Sequence, residues 1–288
     1  MTPPASHLPP PGDFSFELFP PRTPKGAESF PVEVAKLAAA KPAFFSVTFG
    51  AGGTTRDGTR EAVYHIQDTH GIEAAPHLSC MAATRSELAA LIHEYKARDI
   101  RRIVALRGDK PQSGEAHREL IYGAELVGLI RQETGDHFHV EVAAYPEYHP
   151  ESPTPQSDFE HFRAKCEAGA DSAITQYFFN PDAYFTLVER SLSAGLTLPI
   201  VPGVMPITNF TQLARFSDAC GAEIPRWIRK RLETYDGDLE SIRAFGLEVV
   251  TDLCQTLLAG GAPGLHFYTL NQAATTLALW RNLGINGA

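Results

Sequence analysis

Residues 138–180, FHVEVAAYPEYHPESPTPQSDFEHFRAKCEAGADSAITQYFFN, contain a complete strand–helix–strand unit. Phe138–Ala144 is a short apolar run that predicts a buried strand. The proline-laden stretch after it, with Tyr145 and His149, reads as a stiff loop. Ser157-Asp-Phe-Glu160 has the form of a capping box ahead of Phe159, Phe162 and Cys166, which recur at helical spacing. Ser172–Tyr177 is the next strand, and Asn180-Pro181 pairs a capping side chain with a proline at the first helical position. A strand joined to a strand through a helix implies parallel pairing with a crossover connection.

The same alternation extends outward in both directions. Further strand-like runs are Phe14–Phe19, Phe44–Phe49, Ala74–Ser79, Arg102–Leu106, Pro199–Val204 and Gly264–Thr269. Thr84-Arg-Ser-Glu87 is another capping box, ahead of Leu88, Leu91, Ile92 and Tyr95. Asn271 is placed to cap a last helix carrying Ala274, Leu277, Ala278 and Trp280. Eight strand–helix units within residues 14–288 predict an α/β fold, a single (β/α)8 TIM barrel. Extra helices are expected between strands 7 and 8, within Gly221–Gly261. Residues 1–13 read as a proline-rich, poorly ordered lead-in, and 14–288 as one catalytic barrel domain.

The chain has 288 residues, 43% of them hydrophobic and 20% charged, an ordinary globular mixture. Twenty-five Lys and Arg stand against 34 Asp and Glu, a formal charge of −9. That balance argues against non-specific nucleic-acid binding, which relies on basic surface, but permits a local site for an anionic ligand. No apolar run approaches the roughly 20 residues that span a bilayer, so no membrane partner is expected. Cys80, Cys166, Cys220 and Cys254 are far apart without a CxxC pair, which suits a reduced, cytoplasmic protein. The N-terminus lacks the pattern of a signal peptide.

Sites in such a barrel lie at the C-terminal strand ends, and polar residues are dense there. In FSFELFPPR, Phe14, Phe16 and Leu18 share one face and Ser15 and Glu17 the other. If the aromatic rings pack against helices, Glu17 points into the barrel, where burial would favour its protonated form and suit it to general acid work. The alternative is a structural carboxylate paired with Arg22 or Arg107. Gly50, Gly52 and Gly53 fail the G-x-G-x-x-G fingerprint, because position 55 is Thr, so a dinucleotide fold is disfavoured. Arg107-Gly108-Asp109 suits an anionic ligand or, equally, a local ion pair. Gln176 can both donate to and accept from a heterocycle edge, and Phe210 is a stacking platform or a core ring. No HExxH, no two-His-plus-carboxylate spacing and no GxSxG occurs; the expected site holds no metal and relies on an organic cofactor.

The segments FSFELFPPRTPKG, FFSVTFGAGG, EAAPHLSC, IVALRGDKP, AAYPEYHPE, GADSAITQYFFN, VPGVMPITNF and LHFYTLN lie in order from Phe14 to Asn271. Together they resemble the methylenetetrahydrofolate reductase family, in its short bacterial form with the catalytic domain only. The resemblance implies FAD-dependent, ping-pong reduction of 5,10-methylenetetrahydrofolate to 5-methyltetrahydrofolate with NADH or NADPH as donor. It implies Glu17 as the acid toward folate N10 and Asp109 as a carboxylate beside flavin and pterin. Thr48, His77, Arg107, Gly108, Asp109, Tyr122, Tyr145, His149, Asp158 and Lys165 fall on flavin-binding positions. His161 is a further candidate there, since a basic residue common before Lys165 is replaced by Ala164. Gln176 and Phe210 fall on substrate positions, and Gln272 stands where the family carries Arg. The expected partners are folate and a nicotinamide nucleotide, in a homodimer or homotetramer. The competing readings are a non-redox folate-binding one-carbon transferase and a catalytically silent flavin- or folate-binding partner subunit.

Overall fold

A computed structural model describes residues 14–49, 56–108 and 119–285; the glycine loop, Asp109 and the lead-in lie outside them. Nine parallel strands form the barrel wall: β1 Phe14–Leu18, β2 Phe44–Val47, β3 Glu73–Ser79, β4 Arg102–Leu106, β5 His139–Ala144, β6 Ser172–Thr175, β7 Ile200–Val201, β8 Gly203–Val204 and β9 Leu265–Tyr268. Each of β1 to β6 pairs with the next strand in sequence, and β1 also pairs with β9. β7 pairs with β6, whereas β8 pairs with β9. These two are halves of the single run expected over 199–204, broken at Pro202, which has no N–H to give a ladder. The Pro202 carbonyl still accepts the His266 N–H at 3.0 Å, so the break hands the chain across from one neighbour to the other and closes the ring.

Ten helices cover the wall among the described residues: α1 Pro24–Ala38, α2 Arg56–His70, α3 Arg85–Ala97, α4 Gly123–Thr134, α5 Pro155–Glu167, α6 Pro181–Ser193, α7 Phe210–Cys220, α8 Arg226–Glu233, α9 Leu239–Ala259 and α10 Ala273–Asn282. The expected extra helices between the last two strand positions are α8 and α9. The capping box at Thr84 and Glu87 forms, and Asn180 accepts the Asp182 N–H with Pro181 in the first turn. α5 starts earlier than expected. Its cap is Thr154, whose hydroxyl accepts the Ser157 N–H, because Pro155 already fits the first turn. Asn271 is not a cap: α10 begins after Gln272, whose side chain makes no capping bond. Asn271 sits at φ 54° and clamps the chain after β1, with Oδ1 accepting the Phe19 N–H at 3.0 Å and Nδ2 donating to the Phe19 carbonyl at 2.8 Å.

Phe14, Phe16 and Leu18 do face outward into the main core, where Phe14 and Phe16 pack against Trp280 of α10 with centroids 5.5 and 5.2 Å apart. Alternation therefore sends Ser15 and Glu17 inward. The lumen is filled in layers, as barrel interiors are. At the N-terminal strand ends, Arg102 bonds Glu73 and the buried Glu141, which also accepts from Ser172. Above them Phe44, Ala75, Val104 and Ile174 form an apolar layer. The polar residues of the next layer build the candidate site.

Candidate active site at the strand ends

Glu17 projects from β1 toward two imidazoles. Its Oε2 lies 3.5 Å from His77 Nε2 on β3 and 3.8 Å from His266 Nε2 on β9. The carboxylate is therefore inside the barrel, and one of its alternative partners, Arg107, pairs instead with Glu151, at 2.8 Å. His266 is fully buried. Its Nδ1 is 2.7 Å from Ser15 Oγ, and its ring stacks on Phe44. Burial pushes the His77 imidazole down to about 4, the nearby His266 adding to the effect and Glu17 opposing it. His77 is thus neutral at physiological pH, and its Nε2 has no hydrogen-bond partner. Tyr268 donates to the Thr175 carbonyl at 2.7 Å, and burial raises its hydroxyl, with Glu17 and Tyr145 contributing. The ring fits because residue 203 is glycine: a Cβ there would lie 2.6 Å from a Tyr268 ring carbon and 2.2 Å from the Thr175 oxygen.

A second cluster lies beside it, at the ends of β4 and β5 and on α5. Lys165 donates to the Ala143 carbonyl, and its Cδ runs along Gly123 toward Arg107. Burial pushes its ammonium down to about 8; Asp158 and Cys166 oppose the shift and Arg107 adds to it. Burial, with Arg107 and Lys165, also holds the His149 imidazole below its usual value, against Asp158 and Glu151. His149 Nδ1 accepts the Glu151 N–H at 3.0 Å, and its ring meets Tyr145 edge-on at 4.8 Å. Ser152 Oγ donates to Asp158 Oδ1 at 3.0 Å. Tyr122, which precedes α4, and His161 on α5 are exposed and stack on each other at 5.0 Å and 21°. The turn holding Arg107 is tied down: its carbonyl accepts from Ser79 Oγ, Cys80 Sγ and the Met81 N–H. Gly108 there has φ 82°, and a Cβ would lie 1.9 Å from Ser79 Oγ.

The remaining candidates lie around the rim. The Thr48 N–H donates to the Leu18 carbonyl at 2.9 Å, fixing the chain after β2. Gln176 Oε1 accepts the Tyr177 N–H at 2.9 Å, and the residue lines a small hollow with Tyr145, Tyr148 and Cys220. Phe210 opens α7 and is half-buried, with the Arg229 guanidinium 6.0 Å from its ring centre. Gln272 is exposed; its N–H donates to the Thr269 carbonyl, and Thr269 in turn donates to the Glu17 carbonyl. Sequence reading missed His266 and Tyr268 as neighbours of Glu17. The signal was present for β9, since His266 and Tyr268 alternate with the outward Leu265 and Phe267.

The model of the family described as methylenetetrahydrofolate reductase matches residues 12–284. The chain belongs to this family. It is 41% identical over 271 residues to the 5,10-methylenetetrahydrofolate reductase of Salmonella typhimurium, covering 94% of this chain and 90% of that protein. The enzyme of the same name from Escherichia coli is 40% identical over the same extent. A rice protein described as a probable methylenetetrahydrofolate reductase (NADH) is 35% identical over 94% of this chain but only 48% of its own length. A solved structure from Clostridium thermocellum, an uncharacterized protein that binds two copies of 5-methyl-5,6,7,8-tetrahydrofolic acid, superposes with a TM-score of 0.66. At 17% identity, covering 95% of this chain and 96% of that one, it supports the barrel fold. Among the described residues, no helix is long and apolar enough to cross a membrane.

Proposed function

We propose that this member of the family reduces 5,10-methylenetetrahydrofolate to 5-methyltetrahydrofolate, with FAD as bound cofactor and NADH or NADPH as donor. The observation that carries the reading is Glu17, a carboxylate inside the barrel between two histidines, at the strand ends where barrel enzymes do their chemistry. The donor set of the neighbouring cluster fits FAD. Arg107 and Lys165 bring cationic groups beside the positive-φ turn at Gly108, with His149 next to them, which suits a diphosphate within a chain of net charge −9. Tyr122 and His161 offer stacked faces at its edge, and Thr48, Tyr145 and Asp158 lie along the same rim. His77, held neutral, presents an unsatisfied Nε2 toward the lumen. Bound FAD would supply hydride relay from the nicotinamide to the pterin, the two substrates using the site in turn.

The protein's own groups supply the acid–base steps. Glu17 in its protonated form gives its proton to N10 of the bridged folate, and opening of that ring leaves a cation at N5 that hydride reduces. The ionised carboxylate left behind sits in a low-dielectric lumen, where it stabilises that cation. His77, neutral at physiological pH, and His266 flank the carboxylate. Gln176 orients the heterocycle, and Phe210 offers its face to either substrate. Asp109 is assigned the place beside flavin and pterin that the family resemblance implies, and Gln272 a rim contact with substrate. A homodimer or homotetramer in the cytoplasm completes the reading.

The test separates the half-reactions. Protein reconstituted with FAD should absorb near ~450 nm, and stopped-flow reduction by each nucleotide identifies the donor. Glu17→Gln should leave flavin reduction nearly intact while slowing folate turnover by at least ~100-fold, the usual effect of losing a general acid. Equal losses in both half-reactions would remove Glu17 from that role. Colourless protein that cannot be reconstituted would count against the oxidoreductase reading as a whole.

A further inference from the structure

Helix α8, RWIRKRLE, stands out from the surface of this acidic protein: it carries four cations against one carboxylate. Two of them are engaged. Lys230 bonds Glu233 at 2.7 Å, and Arg231 Nε donates to the Tyr235 hydroxyl at 3.0 Å. The helix is anchored by the buried Ile228 and Leu232, and Trp227 meets Phe245 edge-on at 6.1 Å. Arg229 is half-buried, so its stem is held by packing, but among the described residues its guanidinium has no carboxylate and no hydrogen-bond acceptor. The ring it meets is Phe210, and 6.0 Å is the outer limit of a cation–π interaction, which leaves its donors without an acceptor among the described residues. A guanidinium kept beside an aromatic ring with no anion of its own presents a planar fork that matches a carboxylate in two parallel bonds.

Phe210 places that fork. It opens α7, which follows β8, so it lies at the C-terminal end of the barrel where the βα connections converge. We propose that Arg229 is a specificity-determining residue: it receives a carboxylate of the substrate whose ring system packs on Phe210. This rests on the function proposed above, in which that substrate is a reduced folate, a pterin joined through an aminobenzoyl spacer to a glutamate tail. The other anion using the site is the nucleotide diphosphate. The fork matches carboxylate and phosphate alike; it is assigned to the carboxylate, and NADH binding measured beside folate binding separates the two. Gln272, the other rim position assigned to substrate, is uncharged and cannot take this part.

Calorimetric binding to the FAD-loaded protein tests the assignment without turnover. Arg229→Gln should weaken 5-methyltetrahydrofolate and its triglutamate about tenfold, the size of a partly exposed charge-assisted bond. NADH binding should change less than about twofold, and Arg229→Lys should recover part of the loss, because charge is restored without the fork. The melting temperature should not move, since no intramolecular ion pair is removed. Equal weakening of NADH and folate would overturn the carboxylate assignment in favour of a general anion site. Unchanged folate binding in Arg229→Gln would overturn the inference alone. Failure of the unsubstituted protein to bind either folate would overturn the function proposed above and this inference with it.

Discussion

Replacing Gly108 by alanine tests whether the turn behind Arg107 is as tightly specified as its geometry indicates. Two independent costs fall on this position. The backbone has φ 82°, where an L side chain costs about 1–2 kcal/mol. The new Cβ would also lie 1.9 Å from Ser79 Oγ and 3.0 Å from Ser79 Cβ. Relief requires Ser79 to rotate, giving up its bond to the Arg107 carbonyl, and the residual crowding resembles other overpacked sites, at about 1–3 kcal/mol. Together the substitution should cost about 2–5 kcal/mol, a fall of roughly 5–15 °C in melting temperature for a domain of this size. Gly195 is the control: it has φ 79° with nothing within 4 Å of a built Cβ, so Gly195→Ala should show the backbone cost alone. Ser79→Ala removes the clashing hydroxyl, and the double variant should be less destabilised than the sum of the singles by about 1 kcal/mol or more. Thermal unfolding followed by circular dichroism reads all four proteins. If Gly108→Ala melts with Gly195→Ala and shows no coupling to Ser79, the turn is not held as described.

Lys165 gives a pH dependence with a definite sign. Its folded value is about 8, below the ordinary lysine value of 10.5, so an anionic ligand that needs the charge binds fully below pH 8 and loses affinity above it. FAD affinity measured by fluorescence quenching should fall about tenfold per pH unit once above that value, and Lys165→Met should flatten the profile; a decline that survives in Lys165→Met would assign the titration to another group. In the apoprotein the sign reverses, because burying the charge is unfavourable: stability should rise between pH 8 and 10.5 as Lys165 sheds its proton. Asn271→Ala removes both bonds to Phe19, and at about 0.5–1.5 kcal/mol each the loss should total about 1–3 kcal/mol. Hydrogen exchange at the Phe19 amide is the specific readout, and protection that persists in the variant would refute the clamp.

Most of the architecture was legible because strand and helix periods differ, and the alternation survives without any knowledge of distant contacts. The inward direction of Glu17 followed from the parity of FSFEL alone. The errors have local physical causes. Ser157-Asp-Phe-Glu160 and Thr154-Pro-Gln-Ser157 are both credible helix starts, and only the path of the chain out of β5 selects the second. Asn271 has the chemistry of a cap, but its side chain meets the backbone at Phe19, 252 residues away, and that bond outweighs a local one. The seventh strand looked continuous because periodicity does not register a change of partner at Pro202.

What the linear sequence carries is the set of facts that depend on near neighbours: eight strand positions, their faces, the residue types at their ends and a carboxylate pointing inward. What only the closed barrel decides is company. His77 and His266 flank Glu17, Arg107 turns to Glu151 rather than to the acid, and Arg229 reaches Phe210 from another helix. These pairings join residues up to 249 positions apart, and closure of the ring through Pro202 and Gly203 sets β8 against β9, which pairs with β1. Periodicity encodes the direction in which a side chain leaves its strand; the burial and charge it meets there, which set its chemistry, depend on the other strands around the lumen.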